Sequence, residues 1–555
     1  MFEERNLILG CDIGNGFGYV SILEKNDQDP RSLLPEKDRL ADTGMPTTAY
    51  IVPPEGEKVE VFSNGRSVQK TYRRHPEQMR RAVKNLLEQD SLTIPGINKP
   101  VAPEHIFAAV VRDLVSLAEE QLPVYGLPPV YDLVFTFPAG FADHLDILDK
   151  MQRSIECVRI NDRPLRVQGR IPEPAAAAID YLYYMQHLAP EKERINSDEF
   201  TVLVYDLGYG TFDTALVTAR SKGEPYVLHS SASLNTVGGK DFDELIYGMV
   251  CQQLKEKYNY VPTNEMKKED IREAAIEAKH MLSNPDCEEW EISLPAGDEY
   301  YEVTVSREKF EEVSSGLMDQ TLALVWEMLE EAAEKGIEIS GIVLSGGGSN
   351  MPMVKRSLED LTEHSLPVSL FRSGQAVSFG AARYAGGIHQ SRSQQAEAEQ
   401  LAEAEKTPEK RTAPKESQKP ESFANPVMQQ LTERHYGLWE NKMNPGSGEV
   451  VWLIPQGVPR PYTGSIRFKS ASSRIILRMY RSQKETLNRK YRFDQMEKTE
   501  NCVSVIRVPF DVTRGANCEL NITAMEDYSF RFHLTSDQDD DQTITTGQLN
   551  LQSLN

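Results

Sequence analysis

The chain has 555 residues, 39% of them apolar, enough for a large buried core and, by length alone, for three or more domains. Its net charge of −23 excludes the overall basic footprint of nucleic-acid binding, and no apolar run reaches the ~18 residues that a membrane span needs. Six cysteines, at 11, 157, 251, 287, 502 and 518, form no CxxC pair and no metal-ligand spacing, and the acidic N-terminus enters a strand almost at once; both indicate a reduced, cytoplasmic protein.

In chain order, "NLILGCDIG" (6–14), "YDLVFTFP" (131–138), "FTVLVYDLG" (200–208) and "GIVLSGGG" (341–348) read as buried strands. Helical periodicity covers 269–282, opened by acids, and 307–335, rich in Leu, Met, Glu and Ala. The alternation of the two patterns through 1–385 predicts an α/β domain. From 386 to 425 large apolar residues almost vanish, and Gln, Glu, Ala, Lys and Pro take over. Such a stretch buries too little surface to offset its ordering entropy, so a disordered polar linker is expected. Over 426–555 the period falls to two, as in "SRIILRMY" and "YSFRFHL", with turns at "NPGSG" and "PQGVPRP", which predicts an all-β sandwich. The late run "SDQDDDQT" lacks the glycine and distal glutamate of a Ca²⁺ loop and reads as a solvated turn.

Chemistry concentrates in two segments that repeat one idea. "LGCDIGNGFG" (9–18) and "VYDLGYGTFD" (204–213) each run an apolar strand into Asp and then Gly-x-Gly. Glycines at a hairpin tip let backbone N–H groups approach phosphate oxygens, because no Cβ obstructs them. An acid at the strand end can hold Mg²⁺ through water. Together with "LSGGGSN" (344–350), three glycine loops follow three strands in one α/β region.

These loops resemble the phosphate and adenosine loops of the actin-like ATPase superfamily, and within it the chain is similar to the seventy-kilodalton heat-shock (DnaK-type) chaperone family. "RIPEPAAAAIDYL" (170–182) resembles that family's connecting segment, "NTVGGKDFDELI" (235–246) its Gly-Gly-x-Asp-Phe-Asp turn, and "TFPAGFADH" and "AVSFGAA" also fit. The β region resembles the family's peptide-binding domain, with Asn555 following soon after it and no helical lid expected. The resemblance implies ATP or ADP with Mg²⁺ as cofactors, ATP hydrolysis to ADP and phosphate, and unfolded or apolar protein segments and co-chaperones as partners. It makes Asp12, Glu173 and Asp206 the acids around Mg²⁺ and the attacking water, with Thr211 and Asp213 beside them. It assigns Gly14, Asn15, Gly16 and Phe17 to the first phosphate loop and Gly208, Tyr209, Gly210 and Thr211 to the second. Gly238, Gly239, Lys279, Ser283, Gly346 and Gly347 line the nucleoside, and Ile454, Phe468, Ile475 and Leu477 the peptide groove.

Departures from the pattern weigh against full activity. Asn15 and Gly16 stand where the family carries hydroxyl residues, and Tyr209 where it has glycine, so the ring is expected to swing outward while the amide still serves the loop. A lysine near the γ-phosphate lies seven residues before a proline in the family. Counting back from Pro76 without gaps reaches Gln69, with Lys70 beside it. A lost cation there would cost roughly 10²–10³ in rate. His280, Asn350 and Ile276 replace the stacking and charged residues of the adenine end. Pro138 is retained, but Asp146 occupies an arginine position, and the leucine-rich linker motif is missing. Two readings follow: a divergent chaperone with slow or absent hydrolysis and weak interdomain coupling, or a non-catalytic scaffold on a degenerate ATPase fold. A sugar kinase on the same superfold would leave the β region without a role.

Overall fold

The computed structural model describes residues 7–24, 27–34, 44–52, 60–62, 76–195, 197–220, 224–296, 299–388, 428–430, 435–441, 448–455, 457–482, 502–525 and 528–545. Two sheets organise the first unit, and they share one topology. In the first, β4 (Arg166–Pro172), β3 (Asp132–Phe137), β1 (Leu9–Ile13) and β2 (Phe17–Ile22) lie side by side. In the second, β9 (Val368–Leu370), β8 (Gly341–Ser345), β5 (Glu199–Leu207) and β6 (Phe212–Arg220) repeat that order, followed by β7 (Tyr226–Leu234). Each sheet joins two parallel pairings to one antiparallel hairpin, β1–β2 in one and β5–β6 in the other. The two glycine-rich loops are the tips of those two hairpins. The strands are apolar on both faces, with all five residues of β1 and all but the first two of β5 buried, as expected for sheets covered on each side.

Helix α3 (Glu173–Tyr183) touches strands of both sheets. Its sequence explains how it fits between them. Ala175, Ala176, Ala177 and Ala178 are fully buried, and their small side chains let the strands approach on either side. Pro172 at the N-cap and Pro174 in the first turn suit a helix start, where the missing N–H is not needed. The backbone of the helix over 376–388 comes close as well: a Cβ on Gly380 would lie 1.7 Å from the Ala176 carbonyl oxygen.

The remaining helices follow local signals. α1 (Pro103–Gln121) carries Pro at its start; α2 is Leu145–Glu156, and α4 (Gly239–Tyr258) begins at the Gly-Gly turn. The two helices read from periodicity are α5 (Glu265–Leu282) and α6 (Arg307–Glu334). Asn264 caps α5 by accepting from the Lys267 N–H at 2.9 Å, and Ser306 caps α6. The buried core of the second sheet centres on Leu203, Tyr205, Phe212, Phe242, Ile246 and Phe310, with the Tyr205 hydroxyl bonded to Thr321 at 2.9 Å.

The second unit gathers 428–555 with 141–152 and 227–230. From 428 on, its first described strand is Met428–Gln430. Two four-stranded antiparallel sheets follow. One runs Gly448–Ile454, His435–Asn441, Arg474–Ser482, Cys502–Asp511; the other runs Tyr462–Lys469, Asn517–Ala524, Phe530–Ser536, Gln542–Thr545. Tyr436, Leu438, Val508, Phe510, Leu520 and Phe532 are among the residues of their common core. Among the described residues no helix is long and apolar enough to cross a membrane.

Candidate nucleotide site

Asp12 lies at the end of β1 and Asp206 at the end of β5, so the duplicated topology gives each hairpin one carboxylate and one run of bare backbone. The tips meet: a Cβ on Gly210 would sit 2.5 Å from the Asn15 amide nitrogen. Glu173, the first residue of α3, enters from between the sheets. Asp213 completes the group, its two oxygens taking the Ala139 N–H and the Thr211 hydroxyl, both at 2.7 Å. Thr136 donates to Asp12 at 3.1 Å.

A lysine completes the charge pattern. Lys84, 1% exposed, donates its ammonium to Glu173. Burial pulls Lys84 down, but Glu173 and Asp12 outweigh it and hold the ammonium above its usual range. The carboxylates respond in the other direction. Burial and then Glu173 push Asp12 up to about 7 and Asp213 up to about 6; burial, Glu173, Asp213 and Asp12 push Asp206 well above the ordinary carboxylate range. Among the described residues, one cation thus serves four buried acids.

The first phosphate loop is braced by Thr47, whose hydroxyl donates to the Gly14 carbonyl at 2.8 Å and whose N–H donates to Gly16 at 3.0 Å; Phe17 begins β2. Asn15 is not simply a lost hydroxyl. It accepts from the Lys84 N–H at 3.0 Å and donates to Asn85 at 2.8 Å, fixing the segment that carries the lysine. The second loop is anchored by the Gly-Gly turn: Gly239 N–H donates to the Gly208 carbonyl at 2.8 Å, and Lys240 N–H to that of Tyr209 at 2.9 Å. A Cβ on Gly238 would lie 2.6 Å from Gly210, so only glycine fits there.

The nucleoside positions are more dispersed. Lys279 is buried, pairs with Asp243 at 2.6 Å and donates to the Gly239 carbonyl at 2.8 Å. Ser283 turns its hydroxyl back to the Lys279 carbonyl at the end of α5, at 2.8 Å. Gly346 has φ +78°, and a Cβ there would meet Asp206 Oδ1 at 2.4 Å; the space around Gly347 is open. Asn350 bonds Ser373 at 3.1 Å. Ile276 lines a cleft of about 560 Å³ together with Arg81, Tyr209, Asp243 and Glu269.

Gln69 and Lys70 lie outside the described residues; among the described residues the cation at the acids is Lys84, which the sequence reading did not single out. The available signal was a lysine flanked by residues that the fold buries, Val83 and Leu87, since an ammonium is buried only with an acid partner. Tyr209 does not swing outward: its base packs against Gly16 and its side chain lines the cleft. Thr47 and Thr136 are further contributors whose roles appear only once distant segments meet, as does the tie of Asn15 to the Lys84 segment. In the second unit, Ile454 is in the core at 1% exposure, whereas Phe468, Ile475 and Leu477 are half-buried against it.

Duplicated sheets with paired acidic strand ends, glycine hairpins and a helix between them define an actin-like ATPase fold. A family model described as "Hsp70 protein" matches residues 63–401, more than half of the chain. The chain belongs to the Hsp70 family.

Proposed function

We propose that this chain is a divergent Hsp70-type chaperone that binds ATP or ADP with Mg²⁺ in its first unit, hydrolyses ATP slowly, and holds extended apolar segments of unfolded proteins on its C-terminal β region. The observation that carries the nucleotide reading is Lys84 held by Glu173 among Asp12, Asp206 and Asp213, beside the two glycine hairpins. Among the described residues, four buried acids have one ammonium between them, a shortfall of positive charge that fits a hard divalent cation. Among the described residues no three acidic, His or Cys side chains gather closely enough to hold a metal directly, so Asp12, Glu173 and Asp206 would hold it through water. Bound Mg²⁺ would neutralise phosphate charge. Lys84 supplies the cation toward the transferring group, the loop amides orient the phosphates, and the acids polarise the attacking water.

Slow turnover and weak affinity follow from the nucleoside end. His280 and Asn350 supply no guanidinium at the two stacking positions, and each such contact is worth ~0.5–2 kcal/mol, so two losses weaken binding by about one to three decades. Half-buried Phe468, Ile475 and Leu477 support the groove, with Ile454 as the core residue beneath rather than a peptide contact. We place this activity in the cytoplasm, with co-chaperones as further partners and no role for nucleic acid or membrane. The inward Tyr209 favours a second reading, a scaffold that no longer takes nucleotide. Titration calorimetry with ATP–Mg²⁺ and ADP, beside a phosphate-release assay, separates the two. Saturable binding with turnover abolished by Asp206→Asn supports the chaperone, and no binding at millimolar nucleotide selects the scaffold.

A further inference from the structure

The position of Tyr209 carries an inference that deepens, and rests on, the nucleotide reading. A Cβ built on Gly16 would lie 2.7 Å from Tyr209 Cβ, 2.9 Å from Cγ and 3.4 Å from Cδ2. The first of these is closer than real carbon atoms approach, so residue 16 must be glycine while residue 209 is tyrosine. The two departures, one in each phosphate loop, are one matched change. From Gly16 the side chain extends into the cleft that it shares with Ile276 of the nucleoside end and with Arg81, Asp243 and Glu269. Arg81, from the segment preceding Lys84, pairs with Glu269 of α5 at the same cleft. The side chain therefore has its base against the first phosphate loop and lines a cleft that Ile276 of the nucleoside end also lines. Its backbone is not free to follow, because the Tyr209 carbonyl is fixed by Lys240 and the loop is packed on Gly238.

We propose that Tyr209 is an aromatic latch that sets access to the nucleotide cleft: without nucleotide its ring fills the path between phosphate loop and nucleoside end, and a nucleoside di- or triphosphate enters only by turning that ring about its side-chain bonds. The apparent affinity is then lowered by the fraction of molecules whose latch is closed. Glycine at 16 is what allows the closed position. The ring's neutral hydroxyl, pushed up to about 12 chiefly by burial, adds no charge that would repel phosphate. An ordinary packing role would leave different traces: removing the ring would loosen the site and weaken ligand binding.

Calorimetry on the full chain decides between them, with ATP–Mg²⁺ and ADP–Mg²⁺ as probes. Tyr209→Gly should bind about tenfold or more tightly than the wild type, and Tyr209→Phe should match the wild type, since the latch depends on the ring. A double-mutant cycle supplies a readout independent of nucleotide. Gly16→Ser alone should lower the melting temperature, and Gly16→Ser with Tyr209→Gly should recover it. Tyr209→Gly binding no more tightly while the wild type binds overturns the latch and leaves the function standing. Additive melting shifts in the cycle overturn the matched pair. Failure of every variant to bind nucleotide overturns both the latch and the nucleotide reading.

Discussion

Lys84 is buried to 1% exposure and its ammonium has carboxylates as neighbours, so it balances charge that burial would otherwise leave unpaired. Lys84→Met should cost about 3–5 kcal/mol of stability, the usual price of breaking a buried ion pair from one side. Chemical denaturation would measure it, and unchanged stability would show that Glu173 finds another partner. The same variant should lose ATP turnover by roughly 10²–10³ in a phosphate-release assay, as for loss of one preorganised group. At this scale the sequence was most readable where chemistry follows a local motif. Asp12, Asp206, Asp213 and Thr211 sit in short strings whose order reveals them. Lys84 and Thr47 do not, because their partners are 89 and 33 residues away and only tertiary packing unites them.

At the scale of elements, α3 is the piece on which the site turns, since it touches both sheets and begins with Glu173. Its fit is set by closeness to the helix over 376–388. Gly380→Ala would push a methyl into the Ala176 carbonyl, where backbone on both sides leaves no cheap relief. The expected cost is about 1–3 kcal/mol, typical of overpacking, read as a fall in denaturation midpoint. An unchanged midpoint would mean that the two helices part easily. α3 is also tied down by charge. Asp180, two turns beyond Glu173, pairs with fully buried Arg383 at 2.9 Å and with Arg372 at 3.2 Å. Asp180→Ala should cost about 3–5 kcal/mol by leaving Arg383 short of a partner, measured in the same way. The helices were legible from periodicity: α5 starts four residues before the run read as 269–282, and α6 spans 307–334 against 307–335. Capping by Asn264 accounts for the early start of α5. The tie between Asp180 and Arg383 was invisible, because nothing in a local window couples residues 203 positions apart.

Over the whole molecule, duplication explains why two similar strings, starting 195 residues apart (9 and 204), form one site. Each sheet brings the same strand to its hairpin, and the loops touch at Asn15 and Gly210. The alternation of strand and helix patterns over 1–385 made the α/β architecture readable, and the likeness of those strings pointed to the site. The inward tyrosine was not readable, since a one-letter departure does not say which rotamer it takes. A labelled extended apolar peptide should bind the full chain and should be released by ATP less than about fivefold faster, below the ordinary range of allosteric coupling. A strong acceleration in a stopped-flow competition would show that the two sites communicate.

The most direct test is a calorimetric titration of the full chain with ATP–Mg²⁺, repeated on Lys84→Met. One saturable site in the wild type, weakened or lost in the variant, is the result expected of a triphosphate held beside Lys84 and the paired hairpins. Absence of binding heat at millimolar nucleotide, or equal binding by both proteins, would contradict it.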